Sequence, residues 1–308
     1  MAHERRSAFL AVVLAVLTFG CRGESGRNAP DKSLAPLASA LIDARDESFT
    51  RGDVTINYRT LGAGVPILLV HGYGDNLRMW VGVADSLARD HRVYAVDTRG
   101  FGKSSRPGGV TNYGREMVED LVALFDHAGV QQAHVVGYSM GAVLGASLAL
   151  AHPERVRTLT LAAGAFPRDS AGMRAMVAPW IDDLEHGRRL TSLLKQIVPV
   201  LPDSTARTFS DQLFAEGDST ALVDVLKGFP AVSVDWTRVA ASKIPTVAIA
   251  GSNDPLLPYS RDIAARWPGA KLVELPDTDH MTVFTAPRLL EEIRLLARAH
   301  PIDEAERR

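Results

Sequence analysis

The sequence predicts an α/β fold: a mostly parallel central sheet with helices on both faces and a helical cap inserted late in the chain. Three observations carry this reading. Continuous apolar runs such as VPILLVHG, HRVYAVDTRG and QAHVVGYS look like strands buried on both faces, as parallel sheets require. Longer segments with helical apolar spacing alternate with these runs, the rhythm of strand–helix–strand units. From about Phe166 to Ala241 the strand pattern stops and only helical spacing remains, as in MVAPWIDDLEHGRRLTSLLKQIVPVL.

Taken in order, DVTINYRTLG alternates with period two and predicts an early, partly exposed strand. VPILLVHG follows as a buried strand, and NLRMWVGVADSLARD as a helix that Asn76 or Asp75 could cap. HRVYAVDTRG is the next strand, and GREMVEDLVALFDHAG a helix closed by Gly129. QAHVVGYS leads into a helix of small residues, and RVRTLTLAAG lies beyond it. After the insertion, KIPTVAIAGSND and AKLVELPD resume the strand pattern, and PRLLEEIRLLARAH closes the domain as a helix. The expected division is a core of residues 48–165 and 242–300 with a helical cap of 166–241.

The chain has 308 residues, 46% hydrophobic and 23% charged, enough to bury a large core. Its net charge of −2, without a basic stripe interleaved with aromatics, argues against nucleic acid as a partner. The single cysteine, Cys21, excludes an internal disulfide framework and a cysteine-based zinc site. No metal or other cofactor is implied.

Cys21 stands at the end of a distinctive start. Arg5 and Arg6 precede an apolar run from Ala8 to Phe19, too short to span a membrane comfortably but suited to a secretory signal. Gly20-Cys21 then resembles the cleavage site of bacterial lipoproteins, although Thr18 stands where leucine is usual. Residues 1–21 are expected to be a signal peptide and 22–47 a tether that also carries a short helical pattern. On this reading the protein is exported to the cell envelope and held to a membrane by lipid at Cys21. The alternative is a plain signal peptide in which the cysteine has no role.

The chemistry centres on Gly137-Tyr138-Ser139-Met140-Gly141 between a predicted strand and helix. A sharp turn there would project the Ser139 hydroxyl at the carboxyl edge of the sheet. A serine hydroxyl needs a base, and the base an orienting acid. His280, past the last predicted strand in LPDTDHMTVF, is the expected base. Asp254, ending the strand of TVAIAGSND, is the expected acid, and its competing role is that of a turn aspartate. Asp277 and Asp279 are nearer to His280 in sequence, but an adjacent residue usually points elsewhere. The backbone N–H groups of Tyr73, in LLVHGYGDN, and of Met140 could converge on a developing oxyanion. His71 then organises that turn. The remaining histidines read as structural or exposed.

Together HGYG (His71 to Gly74), DTRGFGKSS, the glycine-flanked serine, GSNDPLLP and DTDH resemble, in order, the α/β-hydrolase superfamily. The resemblance runs from about Asp53 to His300 and implies that fold, a Ser139/Asp254/His280 triad and a Tyr73/Met140 oxyanion hole. Serine at 139 disfavours the aspartate-based dehalogenase and epoxide hydrolase chemistries of the same fold. Gly102-Lys103-Ser104 mimics the tail of a phosphate loop, but Asp97 occupies the position where that loop needs glycine. The leading expectation is a serine hydrolase acting on a small-molecule carboxylic ester or related acyl bond. C–C bond hydrolysis, or haloperoxidase or perhydrolase activity on the same triad, is the runner-up, and a non-catalytic binding scaffold the third possibility. The substrate-binding residues are left unassigned.

Overall fold

The structure, a computed structural model, describes residues 39–213 and 218–303. The expected leader with Cys21, and the tether as far as residue 38, lie outside the described residues. One sheet of eight strands organises the molecule: β1 (Glu47–Arg51), β2 (Val54–Leu61), β3 (Val65–Val70), β4 (His91–Val96), β5 (Ala133–Tyr138), β6 (Val156–Ala162), β7 (Thr246–Gly251) and β8 (Lys271–Leu275). Their order is β1-β2-β4-β3-β5-β6-β7-β8. The β1–β2 and β2–β4 pairs are antiparallel; the rest are parallel.

Alternation within the strands divides the core. Leu68, Val70 and Val135 face the helices Arg115–Ala128 and Met140–Ala151, whereas Ile67, Leu69 and Val136 face Trp80, Leu87 and Ile293 on the other side. Between β6 and β7 the described residues contain helices and no strand. Val177, Trp180, Leu222 and Leu226 from that segment join the first of the two cores.

Three details depart from the sequence reading. Strand β1 was not anticipated; it pairs with β2 through a two-residue turn in which Gly52 takes a φ of 59°. Covered on one side by β1 and by Leu41 and the 104–105 loop, β2 is mostly buried rather than partly exposed. The helix expected from Asn76 to Asp90 is two pieces, a 3-10 turn Leu77–Trp80 and an α-helix Val83–Leu87. Gly82, at φ 84°, separates them.

Candidate active site

Strands β3, β5, β7 and β8 run in parallel, so the loops at their carboxyl ends gather along one edge. Chain order reverses between β3 and β5, the place where open α/β sheets leave a crevice. Ser139 follows β5 at φ 52° and ψ −111°, a conformation that costs an L-residue energy and persists only when its surroundings impose it. Those surroundings are explicit. The Ser139 N–H donates to the Ala162 carbonyl at 2.8 Å, and the Ser139 carbonyl accepts from the Ala142 N–H at 3.0 Å. A Cβ on Gly137 would lie 2.1 Å from the Gly141 carbonyl oxygen, and one on Gly141 would lie 2.1 Å from that of Val70. Both flanking glycines are therefore steric requirements of this turn.

His280, on the loop after β8, lies with Nε2 3.1 Å from Ser139 Oγ and Nδ1 3.0 Å from Asp254 Oδ2. The Asp254 side chain is fully buried, and its Oδ1 accepts the Leu256 N–H at 2.8 Å. The turn role and the contact with histidine thus coexist on separate oxygens. Asp279 instead turns back on its own loop, where Oδ1 accepts from the N–H and the hydroxyl of Thr282. The structure brings Ser139, His280 and Asp254 together and leaves Asp279 out.

The loop that carries His280 is fastened from both sides. The Asn253 N–H donates to the Thr278 carbonyl at 2.9 Å, and a Cβ on Gly251 would meet that same oxygen at 2.2 Å. From β5, the Tyr138 hydroxyl donates to the His280 carbonyl at 2.8 Å, with the two rings 5.5 Å apart. Burial, with Asp254 adding to it, pushes the Tyr138 phenol well above its ordinary pKa, so it remains a donor. Sequence reading missed Tyr138. Its only signal was its place beside the serine.

His71 is fully buried, and its Nε2 accepts the Thr98 N–H at 3.1 Å. A nitrogen that accepts from a backbone N–H carries no proton, so the proton is on Nδ1, which donates to the Gly72 carbonyl at 2.7 Å. Burial lowers the His71 pKa, in keeping with this neutral form. Beyond it, Gly72 to Asp75 form a β-turn closed by the Asp75 N–H on the Gly72 carbonyl, with Gly74 at φ 78°. Tyr73 is the second residue of that turn. Its ring packs edge-on against Phe101, and its hydroxyl donates to the Leu222 carbonyl of the helical segment at 2.9 Å.

Tyr73, Ser139, Met140 and His280 border one cavity of about 80 Å³. The helical segment supplies the opposite wall, largely Met173, Met176, Trp180 and Leu226. Asp75 also lines the cavity, and burial pushes its carboxyl up to about 7; the Asn76 N–H opposes this rise and Asp97 adds to it. Among the described residues no group of three or more histidines, aspartates and glutamates could hold a metal ion.

A model of the α/β hydrolase fold family matches residues 65–287. The chain belongs to the α/β hydrolase family. Among relatives of this hydrolase, a protein of Azorhizobium caulinodans that carries the name carbamate hydrolase RutD is 30% identical over 258 residues, covering 79% of this chain and 95% of its own. The pimeloyl-[acyl-carrier protein] methyl ester esterase of Aeromonas hydrophila is 26% identical, covering 78% of this chain and 98% of its own. Among solved structures, a thermophilic esterase from Thermogutta terrifontis superposes on the α/β hydrolase with a TM-score of 0.70 at 24% identity, covering 84% of this chain and all of its own. That likeness is one of fold.

Proposed function

We propose that the protein hydrolyses a small carboxylic ester through an acyl-enzyme on Ser139. The observation that carries the reading is the hydrogen-bonded chain Ser139–His280–Asp254 at the border of a mostly apolar cavity. His280 Nε2 takes the proton from Ser139 Oγ as that oxygen attacks the acyl carbon. Asp254 holds Nδ1–H and steadies the imidazolium that forms. The oxyanion is met by the N–H groups of Tyr73 and Met140, the second at the positive end of the helix Met140–Ala151. His280 then returns its proton to the departing alkoxide, and water repeats the sequence to release the acid. A cavity of about 80 Å³ holds only a few heavy atoms, which favours a short acyl group. The relatives named as a carbamate hydrolase and a methyl ester esterase support hydrolysis at an acyl carbon without fixing the substrate.

The test is hydrolysis of p-nitrophenyl esters from acetate to octanoate by the purified protein and by Ser139→Ala. The expected result is turnover that falls with acyl length and drops by at least ~10⁴-fold in the variant. Fluorophosphonate labelling of Ser139 without ester turnover would move the reaction to C–C bond hydrolysis or perhydrolysis. A folded protein that is neither labelled nor active would overturn the nucleophile.

A further inference from the structure

We propose that Asp75 is a specificity-determining residue: it accepts a hydrogen bond from a hydroxyl or ammonium group that the substrate carries within a few bonds of the scissile carbonyl. This rests on the hydrolytic reading above and narrows its substrate class. The first turn after β3 has no use for a second carboxylate oxygen. The Asn76 N–H donates to Asp75 Oδ1 at 2.8 Å, the Leu77 N–H to Asp97 Oδ1 at 2.8 Å, and the Arg78 N–H to Asn76 Oδ1 at 3.0 Å. The Met79 N–H takes the Asn76 carbonyl at 3.2 Å. Asparagine at 75 would serve this turn equally well, since only Oδ1 is employed.

Asp75 Oδ2 is buried and has no hydrogen-bond partner among the described residues. Leaving such an oxygen unmatched destabilises the fold, and more so when the group is charged. The cost is compounded because the neighbouring carboxylate, Asp97, is itself buried and committed to Leu77, Asn57 and Lys103. A residue worse for the fold than its isostere, on the wall of the cavity that Ser139 and His280 border, is the pattern expected of a binding group. The remainder of that wall is almost wholly apolar, so Asp75 is the polar atom left to select among small acyl compounds. An apolar ester leaves Oδ2 unmatched; one bearing a donor satisfies it. Above about pH 7, where this carboxyl is ionised, a hydrogen bond to the charged acceptor makes that difference about tenfold or more.

Matched substrates test this: methyl butanoate, methyl 3-hydroxybutanoate and methyl 3-aminobutanoate, followed by titration of released acid. The native protein is expected to prefer a donor-bearing ester by about tenfold or more in kcat/KM, and Asp75→Leu to erase that ratio. Asp75→Asn separates the two donors: with its amide oxygen kept on the Asn76 N–H it presents an NH2 group at the Oδ2 position, which can donate to a substrate hydroxyl but has no acceptor for an ammonium. Equal ratios in native protein and Asp75→Leu, or a uniform loss on all three esters, would overturn the proposal and leave Asp75 a purely structural role. Binding of the same intact esters to Ser139→Ala and to Ser139→Ala/Asp75→Leu, read by calorimetry, decides the subsite even if the native protein cleaves none of them. In that case the hydrolytic reading fails separately.

Discussion

The sheet edge and the helical segment face each other across the cavity, and they hold their side chains by different means. On the sheet edge, position is imposed by backbone. Ser139 is bent into a costly conformation between two glycines that touch carbonyl oxygens, and the loops of Asp254 and His280 are joined by main-chain hydrogen bonds. On the helical side, position comes from packing of Met173, Met176, Trp180 and Leu226, with the Trp180 Nε1–H donating to Gln196 at 3.0 Å as a side-chain tether. Backbone geometry admits almost no substitution, whereas methionine and leucine walls repack at small cost. The difference teaches that backbone geometry fixes the side chains on the sheet edge, while packing shapes the opposite wall of the cavity.

A pair of glycine substitutions breaks the comparison most forcefully. Gly141→Ala drives a Cβ to 2.1 Å from the Val70 oxygen, whereas Gly187→Ala, at φ 70° in the helical segment, meets no atom within 4 Å. The first is expected to cost on the order of 3 kcal/mol or more, and the second about 1–2 kcal/mol, the penalty of a left-handed alanine. Thermal unfolding should show the gap, and fluorophosphonate labelling should collapse in Gly141→Ala alone. Equal losses would mean that the two regions are held alike.

That asymmetry also explains what the sequence could reveal. Gly137, Ser139 and Gly141 were readable because steric exclusion leaves few residue types, Asp254 because it follows the fully buried strand β7, and His280 because it lies past the last strand of the pattern. Strand β1, ESFTR, was missed because most of its side chains remain at least partly exposed and it lacks an apolar run. Asp75 was visible only as a possible helix cap. In the structure Asn76 holds that role, and the unmatched oxygen of Asp75 depends on a burial that no local pattern encodes. Tyr138 was hidden for a similar reason: its partner, the His280 carbonyl, lies 142 residues away.

A hydrogen bond joins the two regions at the turn of Tyr73. The Tyr73 hydroxyl reaches from that turn to the Leu222 carbonyl at 2.9 Å, so the segment that shapes the cavity also steadies the N–H proposed to meet the oxyanion. Tyr73→Phe keeps the ring against Phe101 and removes only this tie. A loss of about 1 kcal/mol in transition-state stabilisation, roughly fivefold and expressed in kcat more than in KM, is expected if the turn loosens. An effect confined to KM would place the tie's value in the cavity wall instead, and sharpen the boundary between the two parts.

A separate effect concerns stability alone. Burial raises the Asp75 carboxyl to about 7, with Asp97 adding to the rise, against about 3.9 for an aspartate in an unfolded chain. Between those values the folded protein binds a proton that the unfolded chain has released, so the native state loses stability as pH rises from about 4 to about 7. Asp75→Asn cannot ionise, yet keeps the oxygen that serves the Asn76 N–H. Its unfolding midpoint should match the native one near pH 4, then exceed it by a margin that grows to a plateau above pH 7, on the order of a few kcal/mol. A margin independent of pH would show that the carboxyl ionises as freely in the fold as outside it. The sheet edge would then carry no group held at the expense of stability, and its rigidity would serve the reaction without also selecting the substrate.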